Sequence, residues 1–162
     1  MKRILIMILC LVFLCGCSAA GRNIREPVSV YYRAAQVSYH SADGVICAEK
    51  REFYNRRTAL RKFMNEYLAG PTSQKLDSPF PSGASILELT ETETSIKVML
   101  NLPFLQMAPN ELSLAYACIS MTLFEVTDVQ SVDLYIWGTD YEIDHTVMYR
   151  DHLHLADTTF AE

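Results

Sequence analysis

Three of the four histidines lie among aspartates near the C-terminal end of this 162-residue chain. The clustered groups are His145, His152, His154, Asp144, Asp151 and Asp157. Imidazoles and carboxylates are ligands of zinc and other divalent ions, and an H-x-H pair on a strand points both rings to one face. The same stretch also fits an ordinary strand, with Val147 and Tyr149 on one face and Arg150 and His152 in solvent. The sequence therefore predicts no metal ligand, with metal binding kept as an alternative.

Groups suited to hydrolytic chemistry occur, but their spacing does not indicate a catalytic site. His40 lies near two serines, yet adjacent side chains on a strand face opposite ways, so no oriented triad follows. The carboxylates of Glu88, Glu91 and Glu93 could be paired for acid–base work, but they also fit the solvated face and turn of a hairpin. The chain has no G-x-S-x-G, phosphate-binding loop, H-E-x-x-H or dinucleotide motif. We expect no catalytic residue, no cofactor and no enzyme activity.

The N-terminal cysteines have a different chemistry. Lys2 and Arg3 precede the apolar run 4–14, which ends in Cys15-Gly16-Cys17. This arrangement is typical of an export signal, and the run is too short for a membrane-spanning helix, which needs roughly 20 residues. The motif resembles a bacterial lipobox, which predicts cleavage after residue 16 and a diacylglyceryl group on Cys17. An uncleaved anchor and a plain secretory signal are the alternatives.

The remainder of the chain suits a location outside the cytoplasm. Residues 17–27 then form the lipidated cysteine and a tether of small and polar residues, whose ten residues after Cys17 reach at most about 35 Å. Loss of Lys2 and Arg3 makes the formal net charge of −5 more negative by two. This charge argues against nucleic acid as a partner and against electrostatic binding to anionic lipids. The acyl chains are expected to anchor the protein at the extracytoplasmic face of the cell membrane.

Two thiols remain in the exported part of the chain, Cys47 and Cys118. An exported pair can form a disulfide. Each cysteine also lies in an apolar stretch, where cysteine behaves as a small hydrophobic residue. The sequence does not decide whether Cys47 and Cys118 form a disulfide.

The first elements that would position these groups are a hairpin and a helix. Residues 28–39 and 45–53 have the β-branched and aromatic composition of strands, and Asp43-Gly44 between them favours a turn. Apolar residues from Leu60 to Leu68 then recur at helical spacing. Gly70-Pro71 predicts the end of that helix, because glycine accepts a positive φ and proline cannot continue a helix.

The loop after Gly70-Pro71 is expected to be a fixed joint rather than a reactive loop. Pro79 and Pro81 restrict the backbone, and Phe80 between them is predicted to pack inward. Two strands follow at 84–92 and 95–102, then a helix opening at Pro109-Asn110. That helix is apolar over more than half its circumference, which favours deep burial.

With a last strand at 131–138, the predicted order is β-β-α-β-β-α-β. Strands joined by short turns with two helices packed on them give an α+β two-layer sandwich with a mixed or antiparallel sheet. The predicted organisation is a leader at 1–16, lipidated cysteine and tether at 17–27, a domain at 28–138 and a C-terminal extension at 139–162. The extension is expected to form either an extra edge strand or a mobile tail.

The chain resembles one family, the GerMN domain of sporulation and germination lipoproteins. The residues that carry the resemblance are "VSVYY", "LAGPTSQKLDSPFPSGASI", "SIKVMLNLPF", "LAYACISMTLFEVTDVQSV" and "VDLYIWG". The resemblance implies a non-catalytic extracytoplasmic module, and the leading hypothesis is that its surface binds envelope or sporulation proteins. A small-ligand or metal-binding lipoprotein is the alternative, and a cell-wall enzyme is a third hypothesis.

Overall fold

The computed structural model describes residues 25–36, 45–54, 60–137 and 142–153. The predictions made for Cys17, His40, the Asp43-Gly44 turn and His154 concern positions outside the described residues. In chain order the elements are β1 (Arg25–Ala34), β2 (Ile46–Tyr54), α1 (Leu60–Leu68), β3 (Leu76–Asp77), β4 (Ile86–Glu91), β5 (Ser95–Leu100), a 3-10 helix (Leu102–Gln106), α2 (Pro109–Val126), β6 (Ser131–Trp137), β7 (Glu142–Tyr149) and a second 3-10 helix (Arg150–His152).

The strands form two sheets. In the first, β1 lies between β2 and β3, and both pairs are antiparallel. The second has the order β4-β5-β6-β7, with β5 and β6 parallel and the outer pairs antiparallel. A parallel pair needs a crossover connection, and α2 provides it. The α+β class and the predicted order of elements are confirmed, while the division into two sheets and strand β3 are additional features.

Side-chain hydroxyls pair the backbone of Tyr31 at the edge of β1 that faces away from β2. The N–H of Tyr31 donates to Thr122 Oγ1 at 3.1 Å, and the C=O of Tyr31 accepts from the Tyr67 hydroxyl at 2.6 Å. Backbone groups that face the open edge of a strand must be paired when they are buried. Because α1 and α2 supply these partners, no further strand is needed beside this part of β1.

Helix α2 is the centre of the core. It contacts β1 of the first sheet as well as β6 and β7 of the second. Cys118, Ile119 and Leu123 are fully buried in it, as are the polar side chains of Ser120 and Thr122. The predicted deep burial of this apolar helix is confirmed. Among the described residues, no helix is long and apolar enough to span a membrane.

A bulge explains the irregular pattern of β4. Its register against β5 shifts between Ile86 and Glu88, and the residue between them, Leu87, is 48% exposed. A bulge places one extra residue on one strand of a pair and so interrupts the period of two. The sequence could not assign the buried face of this strand because the alternation changes phase there.

Candidate functional site

The Gly70-Pro71 segment ends helix α1 as predicted. Gly70 has a φ of +117°, which side chains other than glycine rarely accept. Its N–H donates to the Tyr67 carbonyl at 3.1 Å. Pro71 follows directly and lacks the N–H that a further helical turn would use. The role of this dipeptide as a helix stop is confirmed.

A buried carboxylate from β2 fixes the loop that follows. Glu49 is 6% exposed, and its Oε2 accepts from the N–H groups of Thr72 at 2.9 Å and Ser73 at 3.0 Å. Its Oε1 accepts from Nε of Arg51 at 2.7 Å. Burial alone would raise the pKa of Glu49, but these three hydrogen bonds outweigh it and lower the pKa below its ordinary value. Glu49 is therefore a charged clamp on the loop.

Two further side chains satisfy the C-terminal carbonyls of α1. The Gly70 carbonyl accepts from the guanidinium of Arg51 at 2.6 Å and from the Tyr32 hydroxyl at 3.0 Å. The single hydrogen of this hydroxyl is shared with the Tyr67 carbonyl, whose oxygen lies 2.8 Å from the hydroxyl oxygen. Carbonyls at the end of a helix lack partners within the helix, and the negative end of its dipole favours a cation. Burial raises the pKa values of Tyr32 and Tyr67, which keeps both hydroxyls protonated as donors.

Phe80 anchors the far end of the loop. Its ring lies 5.0 Å from that of Tyr67 and 6.1 Å from that of Tyr32 between centroids, both with edge-to-face geometry. Asn101 then holds the approach to β4, because its Nδ2 donates to the Gly83 carbonyl at 2.8 Å. Inward packing of Phe80 is confirmed, and the loop is fixed at both ends.

Beside this loop the surface opens into a depression of about 340 Å³. The lining residues are the segment 78–81, Arg33, Gln106, Met107, Glu111 and Leu114. The two ionisable side chains named here carry opposite charges. The lining combines proline, aromatic and aliphatic residues with polar and charged ones.

A second depression, of about 330 Å³, is lined by Ala35, Gln36, Gln74 and Lys75. The Ala35 N–H donates to the Lys75 carbonyl at 2.9 Å, two residues along the β1–β3 ladder from the pairing of Arg33 with Asp77.

The histidines are not gathered into a metal site in the described part of the chain. His145 and His152 are exposed, and Nε2 of His152 lies 3.9 Å from Oδ1 of Asp151. Among the described residues, no three His, Cys, Asp or Glu side chains are close enough together to hold a metal ion. His154 lies outside those residues.

The faces predicted for the C-terminal extension need correction. Tyr149, expected on the packed face, is 48% exposed. Arg150, expected in solvent, donates from Nε to the Val129 carbonyl at 2.8 Å and from its terminal nitrogen to the Thr127 carbonyl at 2.7 Å. Its guanidinium also lies 4.8 Å from the centre of the Phe124 ring. The alternation fails here because β7 ends at Tyr149 and the chain turns into a 3-10 helix.

Strand β7 itself joins the core through its other face. The Tyr116 hydroxyl of α2 donates to Oδ2 of Asp144 at 2.5 Å. Burial, together with this carboxylate, raises the pKa of Tyr116. The extension was expected to form either an edge strand or a mobile tail, and residues 142–149 form an edge strand.

Cys47 and Cys118 are both buried thiols in the described structure. Burial raises the pKa of the Cys118 thiol to about 12, with a smaller contribution from Cys47. The thiolate, which is the reactive form, is therefore scarce at neutral pH. The glutamates considered for acid–base chemistry, Glu88, Glu91 and Glu93, are exposed around the β4–β5 hairpin.

The sequence interpretation missed the Glu49 clamp, although the strand period contains a signal for it. Residues 47, 49, 51 and 53 of β2 lie on one face, because side chains alternate along a strand. Cys47 and Phe53 at the two ends of this row are buried. An acid and a base two residues apart between buried apolar residues indicate a paired, buried charge.

Comparisons with known proteins give a family and a fold. The family model described as "Germane: Sporulation and spore germination" matches residues 29–142. Among solved structures, the tandem GerMN domains of the sporulation protein GerM from Bacillus subtilis are similar, with a TM-score of 0.52 and 21% sequence identity over 76% of this chain. The chain spans 44% of the length of that structure. A candidate lipoprotein from Clostridium perfringens has a TM-score of 0.47 and 10% identity, over 82% of this chain and 95% of its own. Among curated proteins, none matches.

Proposed function

Because the chain belongs to the Germane family of sporulation and spore germination domains, we propose that it is a lipid-anchored extracytoplasmic protein whose domain binds other envelope proteins without catalysis. The proposed anchor is a diacylglyceryl group on Cys17, supported by the basic residues, short apolar run and Cys15-Gly16-Cys17 motif of the leader. The proposed partners are proteins of sporulation, germination or envelope complexes.

The observation that supports this proposal is the identity of the groups to which the buried polar side chains bond. Glu49, Arg51 and Tyr32 bond to backbone groups around Gly70 and the start of the next loop. Tyr67 likewise bonds to the backbone of β1. A catalytic acid, base or nucleophile must face a substrate, whereas these groups stabilise a rigid scaffold. A rigid scaffold with an open depression beside the fixed loop suits recognition of a partner.

Cross-linking in membranes tests the proposal. The full-length protein is expressed in cells, treated with a membrane-impermeant amine-reactive cross-linker and purified from the membrane fraction through a C-terminal tag. We expect a stoichiometric envelope protein to be recovered. A Cys17→Ser variant should leave the membrane fraction and lose that partner, with Cys47→Ser as the matched cysteine control.

Two results would contradict the proposed function. Recovery of no partner from membranes that contain the anchored protein argues against a binding module. Clearing of peptidoglycan in a gel assay by the purified protein argues for a cell-wall enzyme. Calorimetry with zinc tests the ligand-binding alternative. A heat of zinc binding that is lost in the His145→Ala and His152→Ala variants would favour this alternative over the proposed function.

A further inference from the structure

We propose that the depression beside the 78–81 segment binds a free amino acid, whose carboxylate pairs with Arg33 and whose ammonium group pairs with Glu111. This inference goes beyond the proposed function and depends neither on the lipid anchor nor on a protein partner. It concerns a single depression of about 340 Å³, a volume at the lower end of the range for small-molecule sites.

The two charges that line this depression have opposite signs. Arg33 comes from β1 and Glu111 from the first turn of α2, and both line it. A ligand with only a carboxylate would be attracted by Arg33 but repelled by Glu111, and a ligand with only an ammonium group would be attracted by Glu111 but repelled by Arg33. A molecule that carries both charges matches both side chains. A free amino acid has this form at neutral pH, because its carboxyl group is ionised and its amino group is protonated.

Both charged side chains can take a ligand as a partner. The guanidinium of Arg33 has five N–H donors, and its contact with Asp77 is 3.5 Å long between side chains that are 38% and 50% exposed. Charge-assisted hydrogen bonds are usually about 2.7–2.9 Å long, so this contact is weak and leaves donors for a carboxylate. Within the described part of the chain, no hydrogen bond or ion pair engages the carboxylate of Glu111, which is exposed.

The rest of the lining favours a small ligand that is mostly polar. The exposed surface of the depression is more polar than apolar. Gln106 and Ser78 add an amide and a hydroxyl group, and Phe80, Met107 and Leu114 are among the apolar residues of the lining. Two charged groups and one methyl group suit this composition, which makes alanine the probe of choice.

The wall of the depression is formed before a ligand binds. The ring of Phe80 packs edge-to-face against those of Tyr32 and Tyr67, and the prolines on either side of Phe80 restrict the backbone. Glu49 holds the start of the same loop at Thr72. A site that already has its bound shape avoids the entropic cost of ordering a loop. The loop predicted as a fixed joint thus forms the wall of a binding site.

Saturation-transfer difference NMR with three probes tests the proposal. The full chain in detergent micelles, with empty micelles as the blank, is titrated with alanine, alaninamide and N-acetylalanine. Alaninamide keeps only the ammonium group, and N-acetylalanine keeps only the carboxylate. We expect alanine to bind about fivefold more tightly than either analogue, because each analogue loses one exposed ion pair. Added salt should reduce this difference.

Variants locate the binding to the depression. Arg33→Gln should weaken alanine binding about fivefold and abolish the preference for alanine over alaninamide. Glu111→Gln should abolish the preference for alanine over N-acetylalanine. A purely structural role of either residue would not change the preference between probes. Lys97→Gln and Glu88→Gln, at exposed positions of the second sheet, are the matched controls and should change neither affinity nor preference. Thermal unfolding checks that each variant is folded.

Three results would overturn the proposal: no binding of alanine, equal binding of the three probes, or unchanged preferences in Arg33→Gln and Glu111→Gln. If alanine does not bind while cross-linking recovers a membrane partner, the amino acid site is wrong and the proposed function stands. If alanine binds with the expected preferences and no membrane partner is recovered, the site stands and the proposed function is wrong.

Discussion

Replacing Glu49 by glutamine tests the clamp that fixes the loop after helix α1. The carboxylate accepts three hydrogen bonds, from Thr72, Ser73 and Arg51, while only 6% exposed. A glutamine has one oxygen, so in either orientation its NH2 group faces at least one of these donors. Hydrogen bonds to charged groups contribute about 1.5–3 kcal/mol each, and breaking a buried charge pair costs about 3–5 kcal/mol. Since Arg51 keeps its bond to the Gly70 carbonyl, we expect Glu49→Gln to lower the free energy of unfolding by about 2–4 kcal/mol.

The pH dependence of the unfolding free energy distinguishes the loss of this clamp from a general packing defect. Because the pKa of Glu49 is lowered in the folded protein, its ionised form stabilises the fold above the ordinary value of 4.5. That stabilisation is lost as the pH falls through the lower folded pKa. The difference in unfolding free energy between the unmodified protein and Glu49→Gln should therefore be largest near neutral pH and shrink in acid.

Urea unfolding followed by circular dichroism, repeated from about pH 7 down to about pH 3, measures this difference. Glu88→Gln is the control, because Glu88 is exposed on β4 and its replacement should change the unfolding free energy by less than about 0.5 kcal/mol. If Glu49→Gln unfolds like the unmodified protein at neutral pH, or if its deficit does not change with pH, the clamp does not depend on the charge of Glu49.

Three other predictions follow from the described contacts. Gly70→Ala should lower the free energy of unfolding by at least about 1 kcal/mol in thermal or urea melts, since its φ of +117° is unfavourable for a residue with a Cβ. Arg150→Met keeps much of the side-chain length but removes the bonds to the Thr127 and Val129 carbonyls, and should cost about 1–3 kcal/mol; no loss of stability would show that β7 is held by other contacts. The Cys118 thiol, with its pKa raised to about 12, should resist iodoacetamide at pH 8 until urea unfolds the protein, and rapid native labelling would contradict its burial.

The sequence predicted the elements whose signals are local. The end of α1 at Gly70-Pro71 follows from the backbone preferences of these two residues. Helix α2 was predictable because apolar residues occupy more than half of its circumference. The antiparallel pairing of β1 with β2, which the hairpin composition predicted, is confirmed. The resemblance to GerMN domains agrees with the family match over residues 29–142.

The features that the sequence did not predict depend on contacts between distant residues. The edge of β1 is closed by Thr122, which lies 91 positions from Tyr31 in the chain, and no local pattern contains that pairing. The inward position of Arg150 depends on carbonyls that become accessible only after α2 ends. The depression beside the 78–81 segment likewise needs β1, this segment and the start of α2 to meet, so its residues have no common motif.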